Sequence, residues 1–272
     1  MSPIGVFDSG YGGLTVLRPV RDLLPEYDFI YLGDNARAPY GTRSFETVYQ
    51  YTKQCVKWLF DQGCPLVIVA CNTASAKALR NIQQKDLVQW GAQKRVLGVI
   101  RPTAEIIGQY TSTNQIGILA TKGTVLSESY LLEIHKCFPE IKVYQQACPL
   151  WVSLIENNAF ESDAAKYFLK KDVEALLRQS DRIDTLLLGC THYPLINDKL
   201  LKLVPGHIKL ISQGPVVAEA LKNYLVRHPE IEETISRTGK IKFYTTDSSQ
   251  EFESQALNFF GENVKATQVY LT

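Results

Sequence analysis

The sequence predicts an α/β protein: two pseudo-symmetric domains with largely parallel sheets flanked by helices, and the active site in the cleft between them. Three observations predict it. Short aliphatic runs alternate with amphipathic stretches along all 272 residues, the pattern of strands joined by crossover helices. Two such runs, Leu66-Val67-Ile68-Val69-Ala70 and Leu186-Leu187-Leu188-Gly189, end in Cys71 and Cys190, each followed at once by small polar residues. The opening run, Ile4-Gly5-Val6-Phe7-Asp8-Ser9-Gly10, also has a counterpart in Ile116-Gly117-Ile118-Leu119-Ala120-Thr121-Lys122-Gly123, and Asp8 precedes Cys71 by 63 residues where Ala120 precedes Cys190 by 70.

Taken in chain order, strands are expected near 4–7, 28–32, 66–70, 96–100, 115–119, 141–145, 184–188, 208–211 and 240–245. Each is a short run of branched aliphatics or aromatics bounded by polar or turn residues, as in strands buried on both faces. Helices are expected between them, near 13–23, 44–62, 73–83, 102–110, 123–137, 162–179, 194–203, 214–227 and 249–260. The stretch 44–62 has the clearest period, with Val48, Tyr51, Cys55, Trp58 and Leu59 on one face. No low-complexity segment or flexible linker divides the chain, so passage between the two units is expected through short crossings near residues 98 and 207. The first domain is then discontinuous, 1–98 plus 207–272, and the second is 99–206. The cleft between them is the default binding site.

A chain of this length can bury a full core as one large domain or two small ones. With 29 Lys and Arg against 28 Asp and Glu, the net charge of +1 gives no field for nucleic acid or an anionic membrane. A small-molecule substrate is expected in place of a polyanion. No stretch is apolar enough to cross a bilayer, and Met1-Ser2-Pro3 runs straight into a strand with no signal-peptide pattern, so a cytoplasmic location is expected. With the first strand opening the chain, no N-terminal extension that could bind an effector is expected. The six cysteines (Cys55, Cys64, Cys71, Cys137, Cys148, Cys190) include no C-x-x-C pair and read as reduced thiols, mostly in the core.

A lone cysteine at a strand end is more often a small buried hydrophobe than a catalyst. Here repetition weighs against packing, as do Asn72, Thr73, Thr191 and His192, polar where a core would stay apolar. A helix follows each thiol, and helix N-terminal amides bind carboxylates and favour thiolates. Asp8 either caps the helix near Gly13 or holds an ammonium group and tunes Cys71. His192 is either a solvent-exposed helix start or an acid and orienting group beside Cys190. Gly10-Tyr11-Gly12-Gly13 fails as a dinucleotide loop because Thr15 stands where glycine is needed, and Thr121-Lys122-Gly123-Thr124 has the P-loop order reversed. Cys71, Cys190 and His192 lack paired metal-ligand spacing, so no metal is expected, and a redox disulfide ranks below proton transfer.

Together these motifs resemble the cofactor-independent glutamate racemases. Gly5-Val6-Phe7-Asp8-Ser9-Gly10, Tyr31-Leu32-Gly33-Asp34, Pro39-Tyr40-Gly41, Cys71-Asn72-Thr73-Ala74, Ile118-Leu119-Ala120-Thr121-Lys122-Gly123-Thr124, Cys148-Pro149-Leu150 with Glu156, and Gly189-Cys190-Thr191-His192-Tyr193-Pro194 match that family's pattern in order. The resemblance implies two pseudo-symmetric α/β domains with the site between them, and Cys71 and Cys190 as proton donor and acceptor. It implies that Asp8, Glu156 and His192 assist the thiols. Asp8, Ser9, Pro39, Tyr40, Gly41, Asn72, Thr73, Thr121, Thr191 and His192 are then expected to contact or position L- or D-glutamate. No cofactor is implied, members are often homodimers, and the pathway implied is D-glutamate supply for bacterial peptidoglycan. The chain departs from the pattern at Thr103, where many members carry glycine, and at Ser212-Gln213, where an aspartate-serine pair is common. An aspartate racemase and a non-catalytic amino-acid sensor remain the rival readings.

Overall fold

The computed structural model describes residues 1–91 and 93–271. Its strands are β1 (Ile4–Asp8), β2 (Phe29–Gly33), β3 (Leu66–Val69), β4 (Arg95–Gly98), β5 (Gln115–Ala120), β6 (Lys142–Ala147), β7 (Thr185–Gly189), β8 (Lys209–Ile211), β9 (Ile241–Thr245) and β10 (Ala266–Gln268). They form a six-stranded sheet, ordered β10-β9-β2-β1-β3-β4, and a four-stranded sheet, ordered β6-β5-β7-β8. Every pairing is parallel. Strands β1, β2, β3, β5 and β7 are buried along their whole length, as expected where helices cover both faces of a sheet.

The order β2-β1-β3-β4 in one sheet repeats as β6-β5-β7-β8 in the other, so the likeness between the two halves of the sequence is one of topology. In each sheet the chain lays its second strand on one side of the first and its third strand on the other. That reversal opens a crevice at the carboxyl ends of the two inner strands, where open α/β sheets bind ligands. Asp8 and Cys71 stand at this point in the first sheet, and Thr121 and Cys190 in the second.

Nine strands lie where they were expected, with small shifts. The fourth stops at Gly98, and Ile100 already begins the helix Ile100–Ile106. The three-residue β10 was not anticipated, nor were the short helices Trp151–Glu156 and Pro229–Glu232. The crossing near residue 207 is corrected by the sheet itself: β8 pairs with β7 through Thr185–Lys209 and Leu187–Ile211, so the chain leaves the second sheet only after Ile211. It returns through the helix Gln213–Arg227, which packs on the helix Leu14–Leu23. Leu14, Leu17 and Val20 bury against Val217, Leu221 and Leu225 in that core, each such side chain contributing about 1.5–3 kcal/mol.

Ser44 caps the helix Phe45–Asp61 by accepting the Thr47 N–H at 3.1 Å, the usual work of a helix-start serine. Its buried face is Val48, Thr52, Cys55, Val56 and Leu59, while the expected Tyr51 and Trp58 sit at the margin, Trp58 edge-on to Tyr244. No helix among the described residues is long and apolar enough to cross a membrane.

Candidate active site

Strand β3 delivers Cys71 to the start of the helix Asn72–Lys77. Its Sγ accepts the Ala74 N–H at 3.4 Å and lies 3.3 Å from Ser9 Oγ, at the end of β1. Burial and the neighbouring Asp8 carboxylate push the Cys71 thiol up to about 12, so Cys71 holds its proton at neutral pH. Asp8 is fully buried; its Oδ1 accepts the Gly10 N–H at 2.9 Å, and its Oδ2 accepts from Thr191 Oγ1 at 3.4 Å. Burial raises the Asp8 pKa, with His192 pulling the other way.

Strand β7 delivers Cys190 in the same way, and both thiols are 6% exposed. The company differs. His192 Nδ1 stands 3.9 Å from Cys190 Sγ, its Nε2 stands 2.8 Å from Glu156 Oε1, and its ring meets Phe259 edge to face at 5.2 Å. Burial works against the imidazolium, but the contacts with Cys190 and Glu156 outweigh it and raise the His192 pKa to about 10. At neutral pH both ring nitrogens are therefore donors, one aimed at the thiol and one at Glu156. His192 is buried, 4% exposed, which excludes the solvent-exposed helix start.

The two cysteine loops are tied to each other's sheets. Thr15 Oγ1 donates to the Thr191 carbonyl oxygen at 2.7 Å, and Thr73 Oγ1 lies 2.9 Å from Thr121 Oγ1. Gly12 permits the closest approach: a Cβ there would lie 2.3 Å from Thr191 Oγ1 and 2.5 Å from His192 Nδ1. Gly12→Ala is expected to displace the Cys190–His192 turn and cut turnover by about 10²-fold with the secondary structure intact, which steady-state kinetics and circular dichroism on the same sample would check.

Between the loops lies a cleft with about 610 Å³ of empty volume, counting its open mouth. Of the residues proposed from sequence, Ser9, Pro39, Tyr40, Gly41, Asn72, Thr73, Thr121, Thr191, His192, Glu156 and both cysteines line it. Asp8 does not. It lies under the wall, with Oδ1 accepting from the Gly10 N–H and Oδ2 from Thr191 Oγ1. The Tyr40 hydroxyl is also committed, donating to Asp34, while its ring packs on Phe7 and Tyr51. Cys148, Val152 and Ser153 join the wall without having been singled out, although Cys148-Pro149-Leu150 was itself a motif. All six cysteines are unpaired. Among the described residues no group of three His, Cys, Asp or Glu side chains converges as a metal site.

Matched switch points with a thiol on each wall define the class: the chain belongs to the Asp/Glu/Hydantoin racemase family, whose model its residues 15–221 match. Within that family it stands with proteins named glutamate racemase. One, from Sulfurihydrogenibium sp. (strain YO3AOP1), is 35% identical over 271 residues, covering 99% of this chain and 98% of the relative. The crystal structure of glutamate racemase isoform RacE1 from Bacillus anthracis superposes with a TM-score of 0.89 at 34% identity, covering 99% of this chain and 98% of that one. The structure of the Francisella tularensis glutamate racemase in complex with D-glutamate superposes at 0.86 and 34% identity, covering 99% and 97%. Proteins of this kind are isomerases, and the resemblance read from the motifs is met along the whole chain.

Proposed function

We propose that this chain interconverts L- and D-glutamate without a cofactor, using Cys71 and Cys190 as two bases on opposite faces of the substrate. The observation that carries this reading is the pair of thiols at equivalent strand ends, facing one cleft from two sheets. Inversion at the α-carbon needs a proton removed from one face and another delivered to the other. With L-glutamate bound, the Cys190 thiolate takes the α-proton; the S–H bond forms as Cα–H breaks, and the electron pair moves into the α-carboxylate. Cys71 then gives its proton to the opposite face and is left as the thiolate. With D-glutamate the roles reverse.

Each helper has a task in this scheme. The imidazolium of His192, held by Glu156, offsets negative charge on Cys190. Burial keeps Cys71 a proton donor, and burial also raises the pKa of Asp8 beside it. Charge developing on the substrate carboxylate needs fixed donors in a site closed to water. Asn72, Thr73, Thr121 and Thr191 supply them from both walls. A homodimer in the cytoplasm supplying D-glutamate for peptidoglycan is the wider setting this reading proposes, with residues 1–98 plus 212–272 as one domain and 99–211 as the other.

The test is proton NMR of L-glutamate with the purified protein in deuterated buffer, no cofactor added, followed by chiral analysis. Loss of the α-proton signal together with appearance of D-glutamate is the expected result. Exchange with aspartate alone would make the chain an aspartate racemase. Binding of glutamate without any exchange would make it a sensor.

A further inference from the structure

Gln213 opens the helix Gln213–Arg227, where the chain returns from the second sheet to the first, and it is 3% exposed. Its amide nitrogen stands 3.1 Å from the Val99 carbonyl oxygen, 3.1 Å from Thr103 Oγ1 and 2.6 Å from the Tyr130 hydroxyl. Its amide oxygen stands 2.6 Å from Asn72 Nδ2. Val99 and Thr103 belong to the other crossing between the sheets, Tyr130 to the helix Ser129–Cys137, and Asn72 directly follows Cys71.

One backbone group sets the direction of every hydrogen bond in this cluster. The Val99 carbonyl can only accept, so the Gln213 atom facing it is the nitrogen. Thr103 Oγ1 donates to the same carbonyl at 2.9 Å, so its oxygen and that carbonyl, each 3.1 Å from the Gln213 nitrogen, share one amide hydrogen while the Tyr130 hydroxyl takes the other. The Gln213 oxygen is then turned to Asn72, whose near atom must be the donor nitrogen. Asn72 Oδ1 in turn faces the Tyr130 hydroxyl, which donates to it at 2.5 Å and accepts from Gln213. One Asn72 amide hydrogen remains unused among the described residues, on a side chain that lines the cleft.

We propose that Gln213 is a positioning residue for substrate binding: it fixes the Asn72 amide so that an N–H donor, and not the carbonyl oxygen, meets the substrate carboxylate. With the amide reversed, an oxygen would face an anion, and attraction would become repulsion. The assignment rests on the racemase reading of the cleft.

The experiment is steady-state kinetics on Gln213→Leu, Asn72→Ala and the double variant, with L- and D-glutamate. Gln213→Leu is expected to raise KM by about tenfold, the worth of one hydrogen bond to a charged group, with a smaller fall in kcat. The double variant should match Asn72→Ala within about twofold, because both changes remove the same interaction. An unchanged KM, or effects that multiply in the double variant, would overturn the proposal. If Gln213→Leu does not fold, Gln213→Met keeps the side-chain length and removes both the donor and the acceptor that hold Asn72; the same KM rise and the same failure to multiply with Asn72→Ala are expected, and a wild-type KM refutes the assignment. Wild-type protein that exchanges the glutamate α-proton secures the racemase reading separately, so normal variants count against Gln213 alone. Wild-type protein without exchange counts against the reading itself.

Discussion

Replacing Cys71 or Cys190 by alanine is expected to lower glutamate racemisation by about 10²–10⁴-fold or more, the usual contribution of a positioned acid or base, with little change in melting temperature. Both side chains face the cleft, so truncation enlarges a space that already exists and does not open a void deep in the core. Each variant keeps one thiol and so can exchange a proton on one face only. Residual deuterium uptake should therefore be confined to one enantiomer: L-glutamate when Cys190 is kept, D-glutamate when Cys71 is kept. Near-normal turnover by either variant would end the two-base mechanism. Equal residual exchange of both enantiomers would show that the faces are assigned wrongly.

Replacing His192 by asparagine should lower kcat/KM by about 10²-fold and remove a pH-dependent part of the stability. In the unfolded chain the imidazole titrates at its ordinary 6.5, whereas in the fold its contacts with Cys190 and Glu156, working against burial, raise it to about 10. The folded state thus binds the proton more tightly. The stabilisation is full below pH 6.5 and fades as pH rises toward about 10. The difference in melting temperature between wild type and His192→Asn should be largest near the acid end of that window and shrink toward its alkaline end. A difference that stays constant from end to end would mean that His192 is not held as the cation. Because the two glutamates are mirror images, their equilibrium constant is unity, so kcat/KM must fall equally in both directions. Only kcat and KM taken separately can reveal which thiol has lost its helper.

Much of this was legible in the chain. Val, Ile and Leu runs give away buried parallel strands, and two cysteines repeated at strand ends with polar sequels mark both walls of a cleft. What stayed hidden lies in long-range partnership. Thr15 reads as an ordinary helix residue until its hydroxyl is found on the Thr191 carbonyl, 176 positions away. Gln213 reads as a departure from a motif until its oxygen is found on Asn72, 141 positions away. The glycine turn Gly10–Gly13 was weighed as a phosphate loop; its real constraint at Gly12 is the His192 turn of the opposite sheet. Depth was hidden as well: residue type does not say that Asp8 sits beneath the wall while Ser9 sits in it. The crossing at residue 207 fell short because β8 is a three-residue edge strand with only two aliphatics, Leu210 and Ile211, too little pattern to fix its sheet.

The unequal surroundings of the two thiols have a consequence for the protein between turnovers. Under the proposed two-base mechanism, an L-to-D event would leave the proton on Cys190 and Cys71 bare, and a D-to-L event would leave the reverse. Under that mechanism the empty enzyme would exist in two forms and carry a memory of the last molecule it released. Erasing that memory would require protons to trade places with solvent at two residues only 6% exposed. At high substrate concentration, throughput then depends on how fast the vacated site resets, as well as on how fast carbon gives up its proton.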